Sequence, residues 1–128
     1  MSEGETLPAG EPAIRVVAMP ADTNPYGDIF GGWLMSMMDA AAGTVASRHS
    51  RGRAVTIAVD GMTFHRPVKV GDVISVYADV VGVGRSSMKI DVAAWSRRRA
   101  SDETHRVTHA TFTFVAIDDA GRPRTLAD

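Results

Sequence analysis

The stretch from about Trp33 to Arg48 reads as a helix that is apolar or small on nearly every side, and nothing else in the chain restricts the fold so strongly. It is rich in Ala, Met and Leu and contains no Pro. At about 100° per residue, Trp33, Leu34, Met37, Met38, Ala41 and Val45 cluster on one face. Met35, Asp39, Ala42, Gly43 and Ala46 occupy the opposite face. A helix with this pattern is normally buried all round. One small sheet covers only one face, so a second copy of the chain is the simplest cover for the other.

The rest of the chain supplies such a sheet. Ile14–Met19 is a short β-branched run, followed by the turn formers of 20–28. After the helix come Ala54–Phe64, with alternating Val55, Ile57 and Val59, then a break at Pro67 and Gly71-Asp72. Val73–Val83 and Ser86–Trp95 join around Gly82-Val83-Gly84-Arg85, a hairpin signal. Arg97–Glu103 reads as a polar turn and Arg106–Ile117 as the last strand. The expected class is α+β, an antiparallel sheet with one long helix to cover. At 128 residues this is one domain, residues 13–125, behind a mobile Gly- and Pro-rich tail over 1–12.

Charge and cysteine usage remove several function classes. Fourteen Lys and Arg against fifteen Asp and Glu leave no positive excess for non-specific nucleic-acid binding. With no Cys there is no disulfide framework, iron–sulfur ligation or thiol nucleophile. His105 and His109 are four apart in an expected strand, on one face but ~13 Å from each other, so they form no metal site. No run approaches the ~20 apolar residues of a membrane span. The first twelve residues lack the basic start and apolar run of a secretion signal, so the expected compartment is the cytoplasm.

Asp39 is the only charge between Trp33 and Ser47. It lies past the first turn, where capping and the helix dipole do little for it, and no cation stands three or four residues away. A solvated helix face usually carries several charges; a lone carboxylate among small groups suits a general base or nucleophile. Gly31-Gly32 puts bare backbone at the helix start, where unpaired amides can hold a developing oxyanion. A donor-rich helix start with a carboxylate two turns on is the equipment of acyl transfer.

Asp22-Thr23-Asn24-Pro25-Tyr26-Gly27-Asp28-Ile29-Phe30-Gly31-Gly32-Trp33, with Met35-Ser36-Met37-Met38-Asp39 after it, resembles the hotdog-fold acyl-CoA thioester hydrolases, most of all the single-domain bacterial YciA type. The likeness extends over Val68-Lys69-Val70-Gly71-Asp72, Val83-Gly84-Arg85-Ser86-Ser87 and Ala110-Thr111-Phe112-Thr113-Phe114-Val115-Ala116. It implies a central helix wrapped by a five- or six-stranded antiparallel sheet, with active sites at a homodimer interface and often trimers of dimers. It also implies that Asp39 is the catalytic carboxylate and Asn24 the second polar catalytic residue, with the Gly32 region amide as oxyanion donor and Gly31 beside the substrate. No cofactor is required, because a thioester is already activated.

The remaining motifs are weaker. Gly82–Ser87 is not followed by a helix, so no nucleotide phosphate loop is expected. As residues it is a hairpin; the resemblance implies that Arg85, Ser86 and Ser87 contact the CoA pantetheine or phosphates. Arg97-Arg98-Arg99 reads as a solvated turn, and His49 and His65 as structural. Two other functions compete. A hotdog dehydratase would pair the helix carboxylate with a His in the preceding loop, and residues 20–32 contain none. A non-catalytic acyl-CoA sensor would bind substrate without releasing thiol.

Overall fold

In the computed structural model, which describes residues 5–126, the Ala- and Met-rich stretch forms α1, Gly31–Ser50. It starts two residues earlier than composition indicates, since the glycines themselves enter the first turn. It ends where Arg51 turns left-handed, with φ 55°. The guanidinium of Arg124 covers that end, donating to the carbonyls of Ser50 (3.1 Å), Arg53 (3.3 Å) and Ile117 (2.9 Å). The Ser50 carbonyl is one that a helix end leaves without a partner, while that of Arg53 also accepts from the Ile117 amide.

Five strands make one sheet: β1 (Ile14–Val17), β2 (Ala54–Asp60), β3 (Val73–Val83), β4 (Ser87–Arg97) and β5 (Thr104–Ala116). Their order is β1-β3-β4-β5-β2, with every pair antiparallel. This is the expected α+β hotdog arrangement with five strands. Ile74, Val76, Ile90, Val92, Phe112 and Phe114 alternate toward α1 and bury Leu34, Met38 and Ala41. Ala42 and Ala46, expected on the face away from the sheet, are buried too. The sheet covers more of the helix than one face, and between its first and last turns the exposed strip narrows to Met35, Ser36, Asp39, Ala40 and Thr44.

The register slips at three places, in the β2–β5, β3–β4 and β4–β5 pairs, and the first and last change what faces where. The irregularity between Ala94 and Trp95 shifts the β4–β5 register, so His105 lies opposite Ser96 and is buried, while His109 is exposed. The two histidines therefore do not share a face, contrary to strict alternation. The His105 ring nitrogen Nε2 lies 2.8 Å from Glu103. That hydrogen bond, with the charges of His105, Arg98 and Arg66, holds the Glu103 carboxyl below the ordinary carboxylate range.

Asp72 fixes the turn into β3. It is buried and accepts from Ser96 Oγ (2.8 Å), the Lys69 amide (3.0 Å) and Arg98 (3.1 Å). Arg98 is thus tied into the fold, whereas Arg97 and Arg99 are exposed as expected of the turn. Of the expected tail, residues 1–4 lie outside the described residues. Glu5 is bonded to β5, its amide to the Thr104 carbonyl and its side chain to the Arg106 amide. No described helix is long and apolar enough to cross a membrane.

Candidate active site

Asp39 sits on the exposed strip of α1, and Thr56 of the edge strand β2 donates its hydroxyl to Asp39 Oδ1 at 2.5 Å. The slip in the β2–β5 pair creates this arrangement. Thr56 lies opposite Phe114, the register slips, and Val59 lies opposite Phe112. Thr56 and Val59, three apart, consequently both face the helix. With Met35, Ser36 and the buried ring of Phe112 they line a groove of about 330 Å³ around the carboxylate. Among the described residues no cation pairs with Asp39. Thr56 escaped the reading of the sequence, because its partner is 17 residues away and the bulge reverses the local alternation.

Asn24 occupies the loop that feeds the helix. Its Oδ1 accepts from the amides of Tyr26 (2.9 Å) and Asp28 (3.1 Å), an Asx-type turn closed by Asn24 N–H to the Asp28 carbonyl (2.7 Å). The carbonyl side of this amide is used in folding the loop, and its Nδ2 has no partner among the described residues. A salt bridge from Asp28 to Lys69 at 2.5 Å and the Ile29 amide on the Val68 carbonyl tie the loop to the segment before β3.

Phe30 precedes the helix without a side-chain cap, and the amides of Gly31 and Gly32 have no acceptor among the described residues. A Cβ on Gly31 would lie 3.4 Å from the Phe64 ring; one on Gly32 would meet nothing within 4 Å. Gly32 is bare for neither conformational nor steric reasons inside this chain, which leaves its backbone open to approach from outside.

The chain does not assemble these groups in one place. Asn24 and the glycines stand at the start of α1, beside the segment 64–69, which Gly31, Ile29 and Asp28 approach through Phe64, Val68 and Lys69. Asp39 is eight residues along from Gly31, about 12 Å at 1.5 Å per residue, and meets the edge strand β2 at Thr56. The groove around Asp39 includes no residue of the 22–32 segment. Arg85, Ser86 and Ser87 form the β3–β4 hairpin at the far end of the helix, where the Leu126 amide bonds the Arg85 carbonyl. The Arg85 side chain is exposed and makes no ion pair among the described residues.

Residues 26–101 match the family model described as "Thioesterase superfamily". The chain belongs to the thioesterase superfamily. Among its members, the acyl-CoA thioester hydrolase YciA of Escherichia coli is 46% identical over 129 residues, covering 98% of each chain. HI0827, solved as a hexameric broad specificity acyl-coenzyme A thioesterase, superposes with a TM-score of 0.91 at 45% identity, over 99% of this chain and 88% of its own. The same protein has also been solved with an aspartate replaced by alanine. A more distant superfamily member, the acyl-CoA hydrolase of Staphylococcus aureus, was solved with butyryl coenzyme A and coenzyme A. It is 32% identical, with a TM-score of 0.82 over 88% of this chain and 69% of its own. Variants of that enzyme with one asparagine or one aspartate changed to alanine have been solved as well.

Proposed function

We propose that this chain is an acyl-CoA thioester hydrolase, releasing a carboxylic acid and free CoA. The observation that carries the reading is the Asp39 carboxylate, oriented by Thr56 in an apolar groove on the one strip of the helix the chain leaves uncovered. In this scheme Asp39 takes a proton from water as the water oxygen adds to the carbonyl carbon, or its carboxylate adds to that carbon itself and water then hydrolyses the resulting mixed anhydride. The carbonyl oxygen gathers charge against the Gly32 and Gly31 amides, and Asn24 Nδ2 donates to the thioester and orients it. The C–S bond then breaks, and the sulfur leaves as the CoA thiolate and picks up a proton. Arg85, Ser86 and Ser87 hold the pantetheine and phosphates of CoA, a task for which guanidinium geometry is suited. The catalytic domain is residues 13–125, acting in the cytoplasm without a cofactor.

A separation of about 12 Å between the oxyanion donors and Asp39 on one helix exceeds what a single carbonyl group spans. The site therefore needs the helix start and Asn24 of one chain and Asp39 of another. A two-fold dimer provides this, and three dimers give a hexamer like that of HI0827. The test is titration of free thiol from acyl-CoA by the chain and by Asp39→Ala. Wild type should turn over and the variant should lose about 10²–10⁴ in kcat. Tight binding of acyl-CoA with no thiol released would make the chain a sensor instead.

A further inference from the structure

We infer that the acyl chain of the substrate lodges in the recess at the start of α1 and that Phe64 sets the chain length it accepts; this rests on the hydrolase reading above. The recess has a volume of about 240 Å³ and is separate from the groove around Asp39. Its walls are the buried side chains of Ile29, Leu34, Val68 and Val107, and the half-exposed rings of Phe30 and Phe64 stand at its mouth. Gly31, whose amide is an oxyanion donor in the proposed reaction, is part of the same wall.

Backbone geometry aims Phe64 here. Gly61, with φ +74°, follows the end of β2, and the next segment continues along β5 in the same direction. The His65 amide bonds the Val107 carbonyl at 2.8 Å, and Thr108 Oγ1 bonds the Thr63 carbonyl at 2.6 Å. Phe64 is pinned between these two bonds, with its ring 3.4 Å from where a Gly31 side chain would begin.

A thioester whose oxygen sits on the helix-start amides has two arms leaving its carbonyl carbon. The sulfur arm carries amides and phosphates and needs an open, polar route. The acyl arm is hydrocarbon and gains by leaving water. The recess offers it apolar walls: of its two charged lining residues, Asp28 is engaged with Lys69, and Arg66 is exposed. The groove around Asp39 has comparably apolar walls but is more open and holds the carboxylate itself. An apolar cavity of about 150 Å³ accepts a six-carbon ring, so 240 Å³ corresponds to an acyl chain of about eight to ten carbons.

The test is kcat/KM for straight-chain acyl-CoAs from two to sixteen carbons, read by thiol release, for wild type, Phe64→Trp and Phe64→Ala. In wild type kcat/KM should rise by up to about four-fold per methylene and level off at about eight to ten carbons. The break should move to shorter chains in Phe64→Trp and to longer chains in Phe64→Ala. Opposite displacements cannot come from general damage, which moves both variants alike. A break common to all three proteins, or displaced the same way in both variants, would overturn the inference while leaving the hydrolase reading intact. No thiol released by wild type from any member of the series would overturn both.

Discussion

At Asp39 a single hydroxyl decides how much of the carboxylate's freedom is lost. Thr56 fixes Oδ1, which leaves Oδ2 to face water or substrate in the groove. Hydrogen bonds to charged groups contribute about 1.5–3 kcal/mol, so Thr56→Val, nearly the same shape without the donor, should lower kcat by about ten- to a hundred-fold. Thr56→Ser should retain most of the activity, and KM should move far less than kcat. A Thr56→Val enzyme as fast as wild type would remove Thr56 from any positioning role. The sequence marks Asp39 and Gly31-Gly32 by themselves, because a lone charge in an apolar helix and paired glycines at its start are local anomalies. Asn24 is legible only through family resemblance. Nothing in the chain marks Thr56, whose role exists only after β2 has packed beside α1.

The elements were legible where local pattern governs and illegible where the register slips. The long helix, the hairpin at Gly84–Ser86 and the strands β3 to β5 follow from composition and alternation to within about two residues. The bulges at Ile57 of β2 and Val107 of β5 do not, since both depend on cross-strand pairing that no local window contains. They are what put Val59 on the helix side and separate His105 from His109. The helix end is another tertiary product. Arg51 holds a left-handed conformation that suits glycine, and Arg124, more than seventy residues on, donates to the buried carbonyl of Ser50 and to that of Ile117. Arg51→Gly should raise stability by about 0.5–1 kcal/mol by relieving that strain. Arg124→Met should lower it by about 1–3 kcal/mol, as buried carbonyls lose their donor. Denaturant midpoints at constant m-value measure both; an Arg124→Met protein as stable as wild type would contradict the capping role.

For the whole molecule, what one chain leaves uncovered matters as much as what it buries. The strip of α1 carrying Met35, Asp39 and Ala40 is open, and β2, an unpaired sheet edge, exposes Val55 and Ile57 beside it. An open edge with apolar side chains is an aggregation hazard unless another chain covers it. A two-fold partner at that edge would hide both features and bring the helix start of one chain toward Asp39 of the other. Each active site is therefore shared between two chains, and mixed dimers test this. Asn24→Ala and Asp39→Ala proteins, each inactive alone, are unfolded together and refolded as a mixture. Random pairing makes half the dimers mixed, and each mixed dimer then owns one intact site and one doubly altered site. The mixture should recover about a quarter of wild-type thioesterase activity. Activity that stays at the level of the separate variants, with subunit exchange verified by mass, would contradict the shared site.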